Sequence, residues 1–533
     1  MEGFTDPAWP PGTVRLQTLQ DGGKGQGAEI ILQPRPTDDP NDPLNWPKPQ
    51  KILNYFLASF YAMMVFAFVN ATSPTWGPMG DELNFSSETL TNTYASVYVI
   101  SSAAQFGISI WAARTMTAGD WWGVNAVQCW LGALAEVLIQ MTIADVYFVH
   151  QRGLMNAIYI WVANVGSNLA VVAAGFITVD QGWRWVWWWC AIFFGVQLIM
   201  FIFGFEETKF THTETLEARQ GSVVSASYPT DHIPSDSKSE KQMPMTPNGS
   251  DVEAGSGEDV ARRLSVIHIN PNKPRKTYIQ KLALTQTSPG KWSDFLRHSW
   301  QPFMILASIP GVLFCSLVYA ILLAWSTVMT TALSEYMLLP PYNFSASQIG
   351  LMSLAPFIGT TLGSIVVGPI SDWFVLRLAS RNDGIYEPEM RFWVFLPFIP
   401  FQLAGAWWFG YALANGWSWS QVAVAYGVCN FGSAPLQSLA LTYMLDAYND
   451  IIGDALTALT TVRNTFSTIF VFAMPAWIAG VGMANVFNTI GAIGVVILCF
   501  AGFFVWRGKH LRVRTAKVYK YYADRQFEAR PIY

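Results

Sequence analysis

Residues 343–391 read NFSASQIGLMSLAPFIGTTLGSIVVGPISDWFVLRLASRNDGIYEPEMR. An apolar run of spanning length opens the stretch. It turns polar at Ser371-Asp372-Trp373, carries Arg377 and Arg381, and re-enters apolar sequence at Phe392. That is the pattern of a transmembrane hairpin with a basic connection. The opening recurs earlier: Asn84-Phe85-Ser86 follows the first apolar helix as Asn343-Phe344-Ser345 follows a later one. The late copy reaches its next helix pair near Ser418 and the early copy near Trp121, so the early copy is shorter by about forty residues. A helix–turn–helix of spanning dimensions has about that length.

Hydrophobic residues make up 52% of the chain and charged residues 13%. A soluble domain carries about 25% charged residues, so charge is depleted by about half. The apolar residues are blocked into long runs, and in lipid only helices or closed barrels satisfy the backbone. Runs this long predict an all-α membrane protein. The net charge of −4 says little by itself, but no basic domain is present and the Lys and Arg residues sit in loops, so nucleic acid is not expected as a partner. The lipid bilayer is the expected surrounding, and the chain is read as a monomer. Cys129, Cys190, Cys315, Cys429 and Cys499 all fall within apolar runs, as packing residues rather than a disulfide framework. No cofactor or metal motif is present, and the polar start MEGFTDPAWP is not a cleavable signal.

The chain divides at composition shifts. Residues 1–50 are rich in Pro, Asp and Gly and read as a disordered cytoplasmic tail, with Trp46, Lys48 and Lys51 as interfacial anchors. Residues 51–205 hold a first bundle with spans at Ile52–Asn70, Tyr94–Ala113, Trp122–Ile143, Leu154–Val179 and Trp185–Phe205. The Trp-rich run at 183–189 reads as an interfacial aromatic belt. Residues 206–298, rich in Ser, Thr, Pro, Glu and Lys, read as a disordered linker. Residues 299–507 hold six runs: Pro302–Met329, Ile349–Ile370, Phe392–Tyr411, Ser420–Leu445, Ala455–Ala479 and Val486–Trp506. A basic tail, 508–533, closes the chain.

The positive-inside rule puts the linker, the Arg377–Arg391 loop and the tail in the cytoplasm. Asn84 and Asn343 head glycosylation acceptor tripeptides on the opposite face. Five crossings from a cytoplasmic start would leave the linker outside. Either the amino terminus is outside, or Tyr94–Ala113 is re-entrant, or a hairpin is missing.

Polar residues inside spans are costly and mark sites. Gln128, Gly132, Glu136 and Gln140 recur every four residues and share one helix face. Glu136 is the one carboxylate deep in the first half, able to exchange a proton or meet a cationic substrate; its bland alternative is a protonated, hydrogen-bonded group. Arg463 and Asn464 lie well inside a late span, with Asp446 and Asp454 as candidate counter-charges. Asn430, Ser433 and Gln437 share a face, as do Asn164 and Asn168, and Asn70 ends the first span. Each serves equally well as cavity wall or as helix–helix glue. Gly359-x-x-x-Gly363 is a close-packing face.

Two repeated helical halves joined by a basic linker resemble the major facilitator superfamily, and most closely its fungal drug:proton antiporter branch. The marks are DPNDPLNWP before the first span, QMTIADVYFVHQRG at 140–153, QGWRWVWWWCAIF at 181–193, EETK at 206–209, GIYEPEMR at 384–391 and VRNTFS at 462–467. The resemblance implies a two-bundle fold, here with about eleven spans instead of twelve. It also implies a plasma-membrane carrier that moves a small organic molecule by alternating access, coupled to protons. Asp145, Arg152, Gly368, Asp372, Arg377 and Asp446 are then gating residues, with an Asp372–Arg377 pair as the lock. The branch's first-half loop motif is absent, and Ala170-Val171 stands where its antiporter signature has Gly-Pro. Those departures fit an alternative: a degenerate, transport-inactive member with a receptor-like role or none, or a mis-spliced chain. A membrane enzyme is excluded: His150, His212, His232, His268, His298 and His510 all read as loop or tail residues, and no HExxH occurs.

Overall fold

A computed structural model describes residues 10–15, 17–18, 29–30, 39–71, 139–206, 277 and 292–525. Asn84, Gln128, Glu136, the run 94–113 and most of the linker lie outside these residues. The question of the missing hairpin lies there too.

Three short strands open the described chain: β1 (Val14–Arg15), β2 (Gln17–Thr18) and β3 (Glu29–Ile30). Three helices belong to the first half: α1 (Lys48–Ala71), α2 (Val149–Asp180) and α3 (Trp183–Gly204), with residues 139–146 also helical. The second half holds α4 (Trp292–Ser308), α5 (Pro310–Tyr336), α6 (Ala346–Met352), α7 (Leu354–Arg381), strand β4 (Ile385–Tyr386), α8 (Met390–Phe395), α9 (Ile399–Ala414), α10 (Trp419–Ala447), α11 (Ile452–Val481), α12 (Met483–Cys499) and α13 (Ala501–Ala523). Eight helices among the described residues are long and apolar enough to cross a membrane. The nearly all-helical architecture follows from the apolar blocks, because a helix keeps every backbone hydrogen bond inside its own segment.

α10 is as long as these spans at 29 residues but less apolar. It carries Asn430, Ser433, Gln437, Ser438 and Thr442, all buried. A helix enclosed by other helices need not be apolar all round.

Close packing rests on small residues. In the first half, α1 meets α2 where Gly166 lies against the Met63 carbonyl, and the Tyr55 hydroxyl donates to Met155 O at 2.7 Å. α3 packs Trp187 edge-on against Phe68 of α1, with ring centroids 5.4 Å apart. In the second half, Gly359 and Gly363 of α7 face the Gly427 and Phe431 carbonyls of α10. Gly405 of α9 lies against Cys429 of α10, and Gly491 of α12 against Trp407 of α9. Without a hydrophobic drive between helices in lipid, such backbone approaches supply the attraction.

The halves meet along α2 and the α6–α7 rod, which run antiparallel. At one end, a Cβ on Gly175 would lie 2.8 Å from the Ala346 carbonyl. Midway, Trp161 Nε1 donates to Thr361 Oγ1 at 3.0 Å. At the other end, Gly368 faces Leu154 and Ala157, and the Leu154 N–H donates to Asp372 Oδ2 at 3.0 Å. The rod therefore enters at Ala346 and leaves at Arg377 and Arg381, as a basic cytoplasmic loop requires.

Four expectations change. Pro10–Arg15, within the tail expected to be disordered, is folded: β1 pairs antiparallel with β4, Val14 opposite Tyr386. The Trp-rich run is not simply a belt. Trp183 and Trp187, one turn apart, are buried, whereas Trp185 and Trp189 are exposed on the other face. The basic tail continues as a helix to Ala523, because its apolar residues face the second half. His150 and His510 are helical rather than in loops.

At the Ala346 end the acceptor residue Asn343 is exposed with φ +49°, and Ser345 begins a capping box with Gln348. Asn343→Gln is expected to abolish one endoglycosidase-sensitive band shift in protein made in a fungal host. An unchanged mobility would place this end on the cytoplasmic side.

Candidate functional site

The densest polar cluster sits where the α2–α7 seam reaches the Arg377 end. Arg391, the second residue of α8, is fully buried. Its Nε donates to Asp446 Oδ2 at 2.8 Å and to the Tyr386 hydroxyl at 3.0 Å. Its Nη1 donates to Ser371 Oγ at 2.9 Å and to Asp372 Oδ1 at 3.4 Å, and its Nη2 to Val149 O at 3.3 Å. Arg152, also fully buried, places Nη1 3.5 Å from Asp446 Oδ1 and donates through Nη2 to Ala144 O at 3.1 Å. The Tyr386 hydroxyl donates to Asp446 Oδ2 at 2.6 Å. Burial pushes that phenol well above its ordinary range, so it stays a donor.

Two arginines and two aspartates thus share a dry site in which every charge has an opposite neighbour. Burying such charges is tolerable only with this degree of pairing and hydrogen bonding. The donors and acceptors come from both halves: Val149, Arg152 and Leu154 from α2; Ser371, Asp372, Tyr386, Arg391 and Asp446 from the second half. Gly153 makes room, since a Cβ there would strike the Asp372 carboxylate and lie 2.8 Å from Arg391 Nη1. Three of these bonds cross between the halves, Arg391 to Val149 O, Arg152 to Asp446 and the Leu154 N–H to Asp372, and parting the halves at this end breaks those three.

The expected Asp372–Arg377 lock is corrected. Arg377 lies five residues beyond Asp372 on one helix, about 140° round its surface, and is exposed. Asp372 instead meets Arg391 and the Leu154 N–H. In the sequence Arg391 closes the GIYEPEMR motif and the basic loop, with nothing that marks it as the partner of Asp372. Gly368 serves as a contact point for Leu154 and Ala157. Asp145 is half-buried, and Asp446 is central.

Two bonds between polar residues of the spans join the halves farther along the seam. Asn156 of α2 donates to Thr442 Oγ1 of α10 at 2.9 Å, both fully buried. Thr360 of α7 donates to Asn164 Oδ1 of α2 at 3.4 Å. Asn70, Asn164, Asn168 and Asn430 each donate their amide to the carbonyl four residues back, at 2.9, 2.9, 3.0 and 3.0 Å. That back-bonding turns each amide against its own helix. Gln437 is nearly buried on α10.

Arg463 is bound by Asn464 Oδ1, at 3.1 Å from Nε and 3.0 Å from Nη2, and lies over the Tyr319 ring at 5.9 Å. Asp446 is committed to the cluster, and Asp454 accepts from Gln301 Nε2 at 2.9 Å. Gln140 is fully buried, and neither its Oε1 nor its Nε2 has a partner among the described residues. Glu136, the other end of that stripe, lies outside them. Asn156, Thr442, Ser371 and Tyr386 escaped sequence reading because each acts through a partner distant along the chain. Among the described residues no His, Cys, Asp and Glu group is arranged to hold a metal.

The family model of the Major Facilitator Superfamily matches residues 106–471, more than half the chain. This protein is a member of that superfamily. It is 29% identical to an uncharacterised MFS-type transporter of Schizosaccharomyces pombe, covering 92% of this chain and 89% of that one. It is 27% identical to Protein HOL1 of Saccharomyces cerevisiae, over 97% and 98% of the two chains. It is 24% identical to the efflux pump radE of Floropilus chiversii, over 89% and 83%. In fold it is similar to the xylose transporter XylE of E. coli in a partially occluded inward-open conformation. There the TM-score is 0.52 at 12% identity, with 86% of this chain and 98% of that chain covered. This superfamily member is a multi-pass membrane transporter and not an enzyme.

Proposed function

We propose that the protein is a secondary active carrier that moves a small organic molecule across the plasma membrane by alternating access, coupled to protons. The observation that carries this reading is the cluster around Arg391 and Asp446. It joins the two halves at one end of their seam through one ion pair, Arg152 with Asp446, and two hydrogen bonds, Arg391 to Val149 O and the Leu154 N–H to Asp372. Two bundles rocking about a midplane site need a latch of that kind. With it closed, the structure represents a state shut at the Arg377 end.

The midplane wall is assigned to Asn164, Asn430, Gln437, Arg463 and Asn464, with Gln140, Gln128 and Glu136 on the facing stripe of the first half. Asn168 and Asn70 extend that wall toward the other end. Glu136 is assigned as the proton or cation site. The name of the relative radE supports efflux, and hence substrates of the drug, toxin or secondary-metabolite kind. A buried cluster that pairs charges across the seam favours this reading over a degenerate, inactive chain.

The test uses inside-out vesicles carrying a lumenal pH dye, screened with organic cations and fungal toxins. A transported compound dissipates the imposed gradient. Arg463→Ala is expected to reduce that signal about tenfold, equivalent to about 1.4 kcal/mol of lost stabilisation. No compound-dependent flux from correctly inserted protein, with Glu136→Gln identical to the parent, would end the carrier reading.

A further inference from the structure

We infer that the amino-terminal segment Pro10–Arg15 is a strap, held on the second half, that reaches across the seam at the Arg377 end and biases that end of the carrier toward closure. The inference rests on the alternating-access reading above.

Four independent contacts hold the segment. Val14–Arg15 pairs with Ile385–Tyr386, so the strap's backbone is bonded to the strand that carries Tyr386 of the latch. Arg512 of α13 donates through Nη1 to the Pro11 carbonyl and to Thr13 Oγ1, the latter at 3.2 Å. The same guanidinium is held in a two-bond fork by Glu389, at 2.7 Å from Nε and 2.6 Å from Nη2. A buried arginine already matched by a carboxylate thus spends a remaining donor group on the strap, a use that the planar five-donor fork allows. Gly12, at φ +82°, lies on the carboxyl end of α10: a Cβ would come within 2.7 Å of both Asp446 O and Ala447 Cα. Only glycine meets both the left-handed backbone and that approach. Finally, Val14 is buried in a small cluster with Val149, Val375 and Tyr386.

That last contact gives the strap its role. Val149 belongs to α2 of the first half, whereas Val375 and Tyr386 belong to the second. Val14 therefore wedges an apolar side chain across the seam, beside the Val149 carbonyl that Arg391 holds. When the halves part at this end, the cluster is split and the exit lies beneath the strap. The other three contacts lie within the second half and hold the strap in place, so the Val14–Val149 contact is what the closed state has and the open state lacks. Such differential contact shifts the equilibrium toward closure.

The experiment uses the full-length chain in inside-out vesicles with its five cysteines replaced and one reporter, Ala157→Cys. Ala157 is buried in the seam one turn inside the latch, next to Gly368. Labelling by a membrane-impermeant maleimide then reports opening, without any substrate. Removing residues 1–15, or making Gly12→Val, is expected to raise the labelling rate about tenfold, the population change that about 1.4 kcal/mol produces. Joining Arg15→Cys to Ile385→Cys, which face each other in the strand pair, fixes the strap in place and is expected to cancel the acceleration caused by Gly12→Val until a phosphine reductant is added.

Acceleration on truncation or by Gly12→Val, together with its reversible cancellation on cross-linking, supports the strap. Any other pattern overturns it. Size-exclusion profiles identify variants that fail to fold, and the cross-linked form, compared before and after reduction, still decides the matter. Vesicles that label as expected yet carry no compound defeat the carrier reading and keep the strap. Vesicles of all variants that carry a compound at the parental rate do the reverse.

Discussion

Asp446→Asn is expected to abolish transport while leaving an inserted, folded protein that rests open at the Arg377 end. Three donors converge on this carboxylate: Arg391 Nε, the Tyr386 hydroxyl and Arg152 Nη1. Asparagine keeps the shape but removes the charge. Arg391 then keeps Asp372, while Arg152 loses its contact with Asp446, and both guanidinium groups stay fully buried. Removing one partner of a buried pair typically costs about 3–5 kcal/mol, because the other charge stays buried and uncompensated.

A soluble protein would meet that cost by unfolding. Here a cheaper escape exists, since parting the halves lets water reach both arginines. A cost of about 3 kcal/mol shifts a two-state equilibrium by more than a hundredfold, enough to invert the resting state. The measurements are the maleimide labelling of Ala157→Cys and the melting temperature in detergent. Labelling should rise and the melting temperature fall. Arg377→Ala, at an exposed position, should stay within about 0.5 kcal/mol of the parent. If Asp446→Asn labels and melts like Arg377→Ala, the latch carries no weight. A second check is non-additivity: adding Arg391→Met to Asp446→Asn should cost less than the two changes summed, since the uncompensated charge is removed.

The sequence showed the rods but not their partners. The six runs of the second half each have a counterpart helix, because a long apolar block in lipid has one stable backbone solution. Their ends were misjudged in a consistent way. The run Ile349–Ile370 became a rod from Ala346 to Arg381, and the run ending at Trp506 continued to Ala523. Hydropathy marks the part of a helix that faces lipid, whereas the polar last turns are supported by neighbouring elements. Asp372 could be picked out as a gating residue from its motif alone. Its partner could not, because helical geometry turns Arg377 away and brings in Arg391 across a turn and a strand. The strap was least visible of all. Pro10–Arg15 looks like any Pro- and Gly-bearing tail until Gly12 is seen against α10. The Trp-rich run shows the same limit in reverse: four tryptophans at alternate positions look like a belt, yet the helical period buries two of them.

Gly359→Val is expected to destabilise the second half by about 3 kcal/mol. A Cβ at Gly359 would fall on the Gly427 carbonyl oxygen and within 2.9 Å of its carbon, so the obstacle is the backbone of α10. A flexible side chain could swing aside; a helix backbone moves only if the whole helix does. α10 has nowhere to go. On its other side Gly405 of α9 lies against Cys429, with Cβ-to-N and Cβ-to-Cα approaches below or at 2.5 Å, and Gly432 lies against Gln402. Relief must therefore come from α7 moving outward. α7 also delivers Thr361, Gly368 and Asp372 to the seam, so its displacement loosens the contact between halves as well. Overpacking a well-filled core costs about 1–3 kcal/mol, and the β-branched valine on a blocked backbone belongs at or above the upper end. Gly480→Ala is the matched control: it is a helical glycine with open space around it, where alanine should be neutral or stabilise by about 0.5–1 kcal/mol. Thermal melting in detergent and yield on size exclusion read both variants. A Gly359→Val protein that melts with the parent would mean that α7 and α10 are not in backbone contact, and the seam would have to be rebuilt on a different α7.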